Sequence, residues 1–494
     1  LSAPRRIVGL PVDGRPVVRA QVQQLVALAE GFELRCPEPA QLGHFREPAD
    51  RDALAQWLLA QRDDAAAWVL SLDMLVYGGL VPSRFIDDDL DSLRARLELL
   101  RALRRPGVPL VAFAATMRIS NNNVADEEKP YWREYGRDIW AWSYHGDRSQ
   151  EGYEADRMAA AAAEARIPAE IRDDYRRTRF RNHAVTVAAI ELVEAGVIDR
   201  LILPQDDTAA YGFNVCEHRQ LGYEAADRHV QDRVLFYPGA DEVMHTLCAW
   251  VVGRLRGDAP LKLALLPTDA GNCRWMVPRY EDQSLGETLE AQLDAVGAVL
   301  VDDGFDADAM LLLHTQGMAQ GDWAMNEPLP ERPGIDAAVW AALAQDLPLA
   351  VADDAMANGG DPVFIDRLAA ALPLPSLIGY AGWNTSSNRL GSLLAQLVLG
   401  RHAWASPRNQ DVVALRLAED LQWQAVLRQR LRARIAARHG DEKAMAPERL
   451  EAEAAQLMRE EGNAWLAQHG FAQRIVRAWL PWGRTFEIGL EVAR

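Results

Sequence analysis

Cysteine is scarce in this chain. Its 494 residues include four, Cys36, Cys216, Cys248 and Cys273, with no CxxC spacing. Four thiols in so long a chain do not make a disulfide scaffold, and mostly buried, reduced side chains are expected. Long hydrophobic runs are missing too. A membrane-spanning helix needs roughly 20 consecutive apolar residues, and the apolar stretch from Leu247 is broken by Arg254 and Arg256. No membrane insertion is expected and the chain reads as soluble. Positive charge is in deficit: 53 Lys and Arg face 71 Asp and Glu, a formal net charge of −18. Such a chain repels phosphate backbones and anionic lipid, so nucleic acid is not an expected partner. The single basic run, RRTRFR at 176–181, lies in a helical pattern and reads as a solvated face or a partner for nearby acids. No GxxxxGK[ST] or GxGxxG sits at a strand-to-helix junction, which leaves nucleotide chemistry unsupported and no cofactor expected. Neither HxH nor HExxH occurs, which argues against a transition-metal site.

Ordinary globular composition is what remains, 49% hydrophobic and 25% charged, enough for one large elaborated domain or two to three smaller ones. Short apolar runs recur at 6–12, 68–72, 110–115, 200–204, 233–238, 261–267, 310–315, 348–353 and 376–382, with weaker ones at 32–36 and 298–303. Amphipathic helical spacing separates them at 17–30, 49–62, 90–104, 184–196, 217–229, 242–256, 284–296, 335–345 and 386–399. Apolar runs alternating with helices predict βα units and a parallel sheet buried on both faces. The fold class is α/β; the alternation serves a barrel or a doubly wound sheet and does not choose between them, and the expected architecture is a (β/α)8-like TIM barrel with extra βα units. Residues 124–182 read as a helical insertion large enough to cover a site, and residues from 403 as a charge-rich helical region. The expected organisation is an N-terminal β/α region 1–257 carrying that insertion, a second β/α region 258–402 that completes the site, and a mainly helical region 403–494.

In α/β folds the ligand site lies at the carboxyl ends of the strands. Here those ends are followed by Asp13 and Arg15, by Asp73 and Tyr77 with Arg84 beyond, and by Arg118 with Asn121, Asn122 and Asn123. Next come Gln205, Asp206 and Asp207, then Asp241 and Glu242, Asp269 and Asn272, His314, Asp353, Asp354 and Asn358, and finally Trp383, Asn384 and Asn388. Each Asp or Asn alone reads as a helix cap or turn former; their succession over nine strand ends points to a shared polar site. LPQDDTAAYGFN (203–214) is the densest segment and includes Tyr211. Successive strand residues face opposite ways, so Asp206 and Asp207 serve one pocket only if the chain turns between them. Two close carboxylates titrate apart, one protonated as general acid and the other charged. The plainer alternative puts one acid in the pocket and its neighbour on a helix cap. Asp241 and Glu242, after a Pro-Gly turn, form a second acidic pair, for which helix capping is the stronger reading. Gly78 and Gly79 allow close approach or positive φ. Trp383, Asn384 and Asn388 suit recognition of a polyhydroxylated ligand as well as a helix start with a core Trp.

The segments LPVDGRP, SLDMLVYGGLVPSR, MRISNNNVADEEKPYW, QDDTAAYG, PGADE and AGWNTSSNRLG together resemble a bacterial family, domain of unknown function 4127, from residue 10 to about 391. The resemblance implies a bacterial origin and assigns no chemistry. Separately, the acidic pair resembles that of barrel glycosidases that cleave N-acetylhexosaminides with help from the substrate's acetamido group. That similarity implies that Asp206 orients the acetamido group and Asp207 is the acid. The expected function is a glycoside hydrolase or related carbohydrate-active enzyme acting on a small carbohydrate or glycan, with Asp206, Asp207, Asp241 and Glu242 as catalytic candidates. Substrate contacts are expected from Asp13, Arg15, Asp73, Tyr77, Arg84, Arg118, Tyr211, Asp269, Asn272, Trp383, Asn384 and Asn388. Two alternatives stay open: a Mg²⁺- or Ca²⁺-dependent hydrolase using Asp13, Asp73, Asp206 and Asp269 as oxygen ligands, and a sugar-binding protein without turnover. The opening LSAP suits a mature exported protein, so a periplasmic or secreted location is favoured slightly over a cytoplasmic one.

Overall fold

A computed structural model describes residues 3–302, 304–329, 334–343 and 347–494. The chain forms two compact units: Leu1–Gly14, Glu33–Leu247 and Tyr280–Gln283 make the first, and Arg15–Phe32, Cys248–Arg279 and Ser284–Arg494 the second.

The first unit is built on β1 (Arg5–Leu10), β2 (Phe32–Arg35), β3 (Ala65–Ser71), β4 (Leu110–Phe113), β5 (Arg200–Gln205) and β6 (Val234–Pro238), in the order β2-β1-β3-β4-β5-β6. The pairings from β1 through β6 are parallel. All four residues of β4 and all six of β5 are buried, because helices cover both faces of a parallel sheet. Local chemistry starts the helices: Asp50 accepts from the Asp52 and Ala53 amides, Ser71 from Met74 and Asp89 from Ser92, satisfying N–H groups that a first turn leaves unpaired. Helices Trp132–Arg148, Glu154–Arg166 and Ala169–Glu194 form the insertion, which has a small core of its own around Trp132, Ile139, Trp142 and Tyr175. Helix Ala169–Glu194 carries the basic run, whose Arg176, Arg177 and Arg179 pair with Glu164, Asp174 and Glu217. Those three arginines serve nearby acids, whereas Arg181 donates to the carbonyls of Ser83 and Asp88 and to Asn182.

The second unit contains β7 (Leu261–Pro267), β8 (Ala298–Leu300), β9 (Ala309–His314), β11 (Leu349–Asp353) and β13 (Gly379–Ala381), in the order β13-β11-β9-β7-β8 and all parallel, with the two-residue strands β10 (Gly321–Asp322) and β12 (Met356–Ala357) paired beside them in sequence. One core joins Leu312, Val351 and Tyr380 of this sheet to Leu417, Trp423 and Leu431 of the C-terminal helices. It also includes Ile475 and Leu490 of the antiparallel hairpin β14 (Arg474–Trp479) and β15 (Gly489–Ala493). Leu417–Leu427 is wound as a π-helix, which no periodicity in the sequence announces.

Every anticipated strand is present, yet the expected barrel is not formed by the described residues. A (β/α)8 barrel sets each strand beside the next in sequence until the ring closes. Here β1 lies between β2 and β3, and β7 between β8 and β9, so both sheets reverse direction and stay open. Alternating βα patterns are common to barrels and doubly wound sheets, which is why the pattern did not separate them. The reversal has a consequence: in such sheets ligands gather at the carboxyl ends next to the switch point, which in the first unit lies between β1 and β3.

No helix among the described residues is long and apolar enough to cross a membrane. Cys36, Cys248 and Cys273 are buried and Cys216 is partly exposed.

Candidate active site

Backbone bonds first tie the strand ends of the first unit together. Asp73 follows β3 and its Oδ2 accepts the Ala115 amide just beyond β4 at 2.9 Å. Thr116 N donates to Pro204 O at 2.8 Å, extending β4 alongside β5, and Gly239 N donates to Gln205 O at 2.8 Å, holding the β6 turn to the end of β5. Leu80 N reaches Val12 O at 3.4 Å, bringing the loop after β3 beside the segment that carries Asp13.

Two arginines and four further carboxylates fill the space these ends define. Arg84, buried on the short Pro82–Arg84 turn, donates through Nη2 to Asp206 Oδ2 at 2.7 Å and through Nη1 to Glu127 and Glu128 at 3.2 and 3.3 Å. Arg118 donates through Nη1 to Asp207 Oδ2 at 2.9 Å and through Nε to Glu128 at 3.1 Å, and its Nη2 lies 2.9 Å from Glu127. Each member of the Asp206–Asp207 pair thus has its own arginine, and Glu127 and Glu128 brace both arginines from behind. Arg46 holds the bracing segment in place, donating to the carbonyls of Ala125, Asp126 and Glu128.

The turn between the two acids is present: Asp207 has φ +28°, a left-handed conformation that side chains rarely adopt and that typically costs on the order of 1–3 kcal/mol. Its surroundings fix it. Thr208 N donates to Tyr280 O at 2.8 Å, Gln205 Nε2 to Asp282 at 2.6 Å and Asn214 to Thr208 at 2.8 Å. Downstream, Gly212 N and Phe213 N donate to Asp147 and Ser143 of helix Trp132–Arg148 at 2.9 and 2.7 Å. The insertion therefore supplies both the bracing acids and the clamp on the acid-bearing loop.

These surroundings shift titrations. Burial and then the charge of Asp206 push the Asp207 carboxyl up to about 6, against the pull of Arg118, while 32% of its side chain stays exposed. Burial pushes Asp73 up to about 7, opposed by the Ala115 amide and reinforced by the charge of Asp206. Burial opposes the charge of Arg118, but Glu127, Asp207, Glu128 and Asp206 hold its pKa well above the ordinary value. The arrangement keeps one carboxyl of an adjacent pair near half protonation at mildly acidic pH, which is what proton donation requires.

Other anticipated residues sit as follows. Tyr77 is buried in the first unit's core, and Tyr211 is half-buried with its hydroxyl donating to Glu151 at 3.0 Å. Asp241 and Glu242 are buried just before helix Val243–Arg256. Gly239 has φ +110°, and a β-carbon there would lie 2.9 Å from both Glu242 carboxylate oxygens, so this glycine makes room for the acid against the backbone. Gly78, at φ +81°, closes helix Leu72–Tyr77 in the left-handed conformation.

In the second unit, Asp269 accepts from Asn272 and from the Gly317 amide at 2.9 Å, shaping the loop after β7. Trp383 is only 2% exposed, Asn388 donates to Thr385 at 3.0 Å, and Asn384, at φ +62°, offers its carbonyl to Arg389 and the Asn358 amide at 2.8 and 2.9 Å. Arg15 lies over Trp482 at 4.5 Å and 3.8 Å from Glu487. His314 joins Thr268 at 3.0 Å to Asp361 at 3.3 Å. Buried Arg389 bonds Asp354 and the Asp353 carbonyl, and burial pushes Asp353 up to about 6. On the π-helix, burial and the charge of Asp420 push Glu419 up to about 8.

Glu127, Glu128, Asp147, Asp282, Glu419 and Asp420 were not singled out from the sequence. For the first two a signal existed, the run DEEK that begins eight residues beyond Arg118; the others lie in helices or loops with no motif. Among the described residues, no three His, Cys, Asp or Glu side chains are grouped so as to hold a metal ion.

A protein-family model described as "Protein of unknown function (DUF4127)" matches residues 7–491, so the chain belongs to that family. No curated protein matches it.

Proposed function

We propose that this DUF4127 member is a glycoside hydrolase acting on N-acetylhexosaminides, with Asp207 as proton donor and Asp206 orienting the substrate's acetamido group. The supporting observation is the Asp206–Asp207 turn at the end of β5, where each acid meets its own arginine and Asp207 is held at about 6. In the proposed reaction Asp206 accepts a hydrogen bond from the acetamido N–H and the acetamido oxygen attacks the anomeric carbon. As that C–O bond forms, the glycosidic bond breaks, and the Asp207 proton passes to the departing oxygen. Water then opens the cyclic intermediate and returns a proton to Asp207, so the acid acts in both steps. Asp241 and Glu242, beside the end of β5, are the reserve pair for the same role.

The test compares wild type, Asp207→Asn and Asp206→Asn on an unactivated N-acetylhexosaminide and on an aryl one. Asp207→Asn should lower kcat on the unactivated substrate on the order of 10²–10⁴-fold, the range that proton transfer contributes, and much less on the aryl glycoside, whose leaving group needs little protonation. Asp206→Asn should be damaging on both. Equal activity of wild type and Asp207→Asn on the unactivated substrate would remove Asp207 from the role and transfer it to Glu242. Sugar binding without turnover by wild type would support the binding-protein alternative instead.

A further inference from the structure

The loop that carries the acid pair also carries Tyr211, and the structure seats that ring in an aromatic corner. Tyr144 stacks on Trp140 one turn earlier on helix Trp132–Arg148, centroids 4.9 Å apart and planes 18° from parallel. Tyr211 meets Tyr144 at 5.6 Å with planes 85° apart, so the two rings form walls at nearly a right angle. Arg148 lies 5.8 Å from the centre of Tyr211 and 5.1 Å from that of Tyr153, and Tyr153 is 50% exposed. The Glu151 carboxylate takes the Tyr211 hydroxyl at 3.0 and 3.1 Å.

Core packing accounts for Trp140 but not for Tyr144, Tyr153 and Tyr211. The insertion's core is complete with Trp132, Ile139, Trp142 and Tyr175, with Trp140 and Phe213 packed against it. Tyr144, Tyr153 and Tyr211 stand outside that cluster and remain partly or fully exposed. The corner carries one arginine, Arg148, against two acids, Glu151 and Asp156, the latter 3.7 Å from Arg148, so it offers nothing to a strongly anionic ligand. Aromatic walls with hydrogen-bonding groups at their rim match a sugar ring, which presents apolar C–H faces and a girdle of hydroxyls. Tyr211 is four positions beyond Asp207, and a chain spans at most about 3.6 Å per residue, so their Cα atoms lie no more than about 14 Å apart, within the span of a short oligosaccharide.

We infer that Trp140, Tyr144 and Tyr211, with Arg148 and Glu151, form a subsite for an uncharged sugar ring of an oligosaccharide whose scissile bond lies at Asp207. This deepens the glycosidase reading and rests on it for the position of the scissile bond. It predicts a substrate of several rings.

Calorimetric titration of the Asp207→Asn protein with N-acetylchitotetraose and with N-acetylglucosamine tests it without needing turnover. The tetraose should bind at least tenfold more tightly than the monosaccharide. Adding Tyr144→Ala and Tyr211→Ala should abolish that difference, whereas Tyr144→Phe and Tyr211→Phe, which keep the rings, should retain most of it. Melting curves of the alanine and phenylalanine variants should coincide, since these rings lie outside the core. Equal affinity for both sugars, or an advantage that survives both alanine substitutions, overturns the subsite. Tight tetraose binding lost with the alanines, together with no cleavage by wild type, keeps the subsite and removes only the hydrolytic reading.

Discussion

Asp73 provides a stability test that needs no substrate. Its residue is 2% exposed, and its carboxyl titrates at about 7 in the folded chain against an ordinary 3.8. Between those values the folded protein holds a proton that the unfolded chain has lost, so stability falls as pH rises through this window and levels off above pH 7. At about 1.4 kcal/mol per pKa unit, the full cost of ionising the buried group is on the order of 4 kcal/mol. Asp73→Asn removes the titration and keeps a side-chain oxygen to accept the Ala115 amide. The variant should gain stability relative to wild type as pH rises, by about 2.5 kcal/mol more at pH 8 than at pH 5. Urea denaturation of both proteins at several pH values measures this, and the difference between them cancels every other titrating group. Parallel stability profiles for variant and wild type would refute the argument that burial, assisted by the charge of Asp206, raises this carboxyl.

Three other outcomes are expected. If Asp207 is the proton donor, as proposed, its protonated form is the active one: kcat/KM on an unactivated glycoside should fall as pH rises through about 6, and Arg118→Gln should move that limb to higher pH, since Arg118 holds the carboxyl down; an unmoved limb in the pH–rate profile would detach the two. Gly239→Ala, at φ +110° with its β-carbon 2.9 Å from the Glu242 carboxylate, should lower stability by about 1–3 kcal/mol, read by denaturation, whereas Gly196→Ala, at φ +68° with no atom within 4 Å of the new carbon, should cost less. Exhaustive chelation should leave turnover unchanged; loss on chelation and recovery with Mg²⁺ or Ca²⁺ would favour the strand-end aspartates as metal ligands.

Strand positions were legible because a parallel strand buried on both faces must be almost wholly apolar, as WVLSL and RLILP nearly are, and the runs are too short for helices and recur between amphipathic segments. Strand order was not legible. Which neighbour β1 pairs with depends on how helices pack over the sheet, and the same βα alternation serves a ring or a sheet that reverses. The candidate site divided along the same line. Asp73, Arg84, Arg118, Asp206 and Asp207 were readable as polar residues beyond strand ends, and the structure brings these five together. Glu127 and Glu128 lie at the start of an insertion, where charged residues are ordinary surface, and only the fold turns them inward against the two arginines.

That inward turn adjusts the chemistry of the pair. Burial and then the charge of Asp206 do most to raise the Asp207 carboxyl, and Arg118 pulls it back. Glu127 and Glu128 share the same guanidinium groups, and the charge of Glu127 reaches Asp207 and raises its pKa. Arg118 consequently anchors Asp207 in position while its pull on the titration is partly spent on the bracing acids. Replacing Glu127 by Gln should therefore lower the Asp207 pKa with its geometry unchanged, shifting the basic limb of the pH–rate profile to lower pH. Replacing Arg118 should shift it the opposite way. Opposite displacements by two residues on the same side of Asp207 would distinguish this electrostatic balance from a merely structural lattice, which would lower activity at every pH without moving the limb.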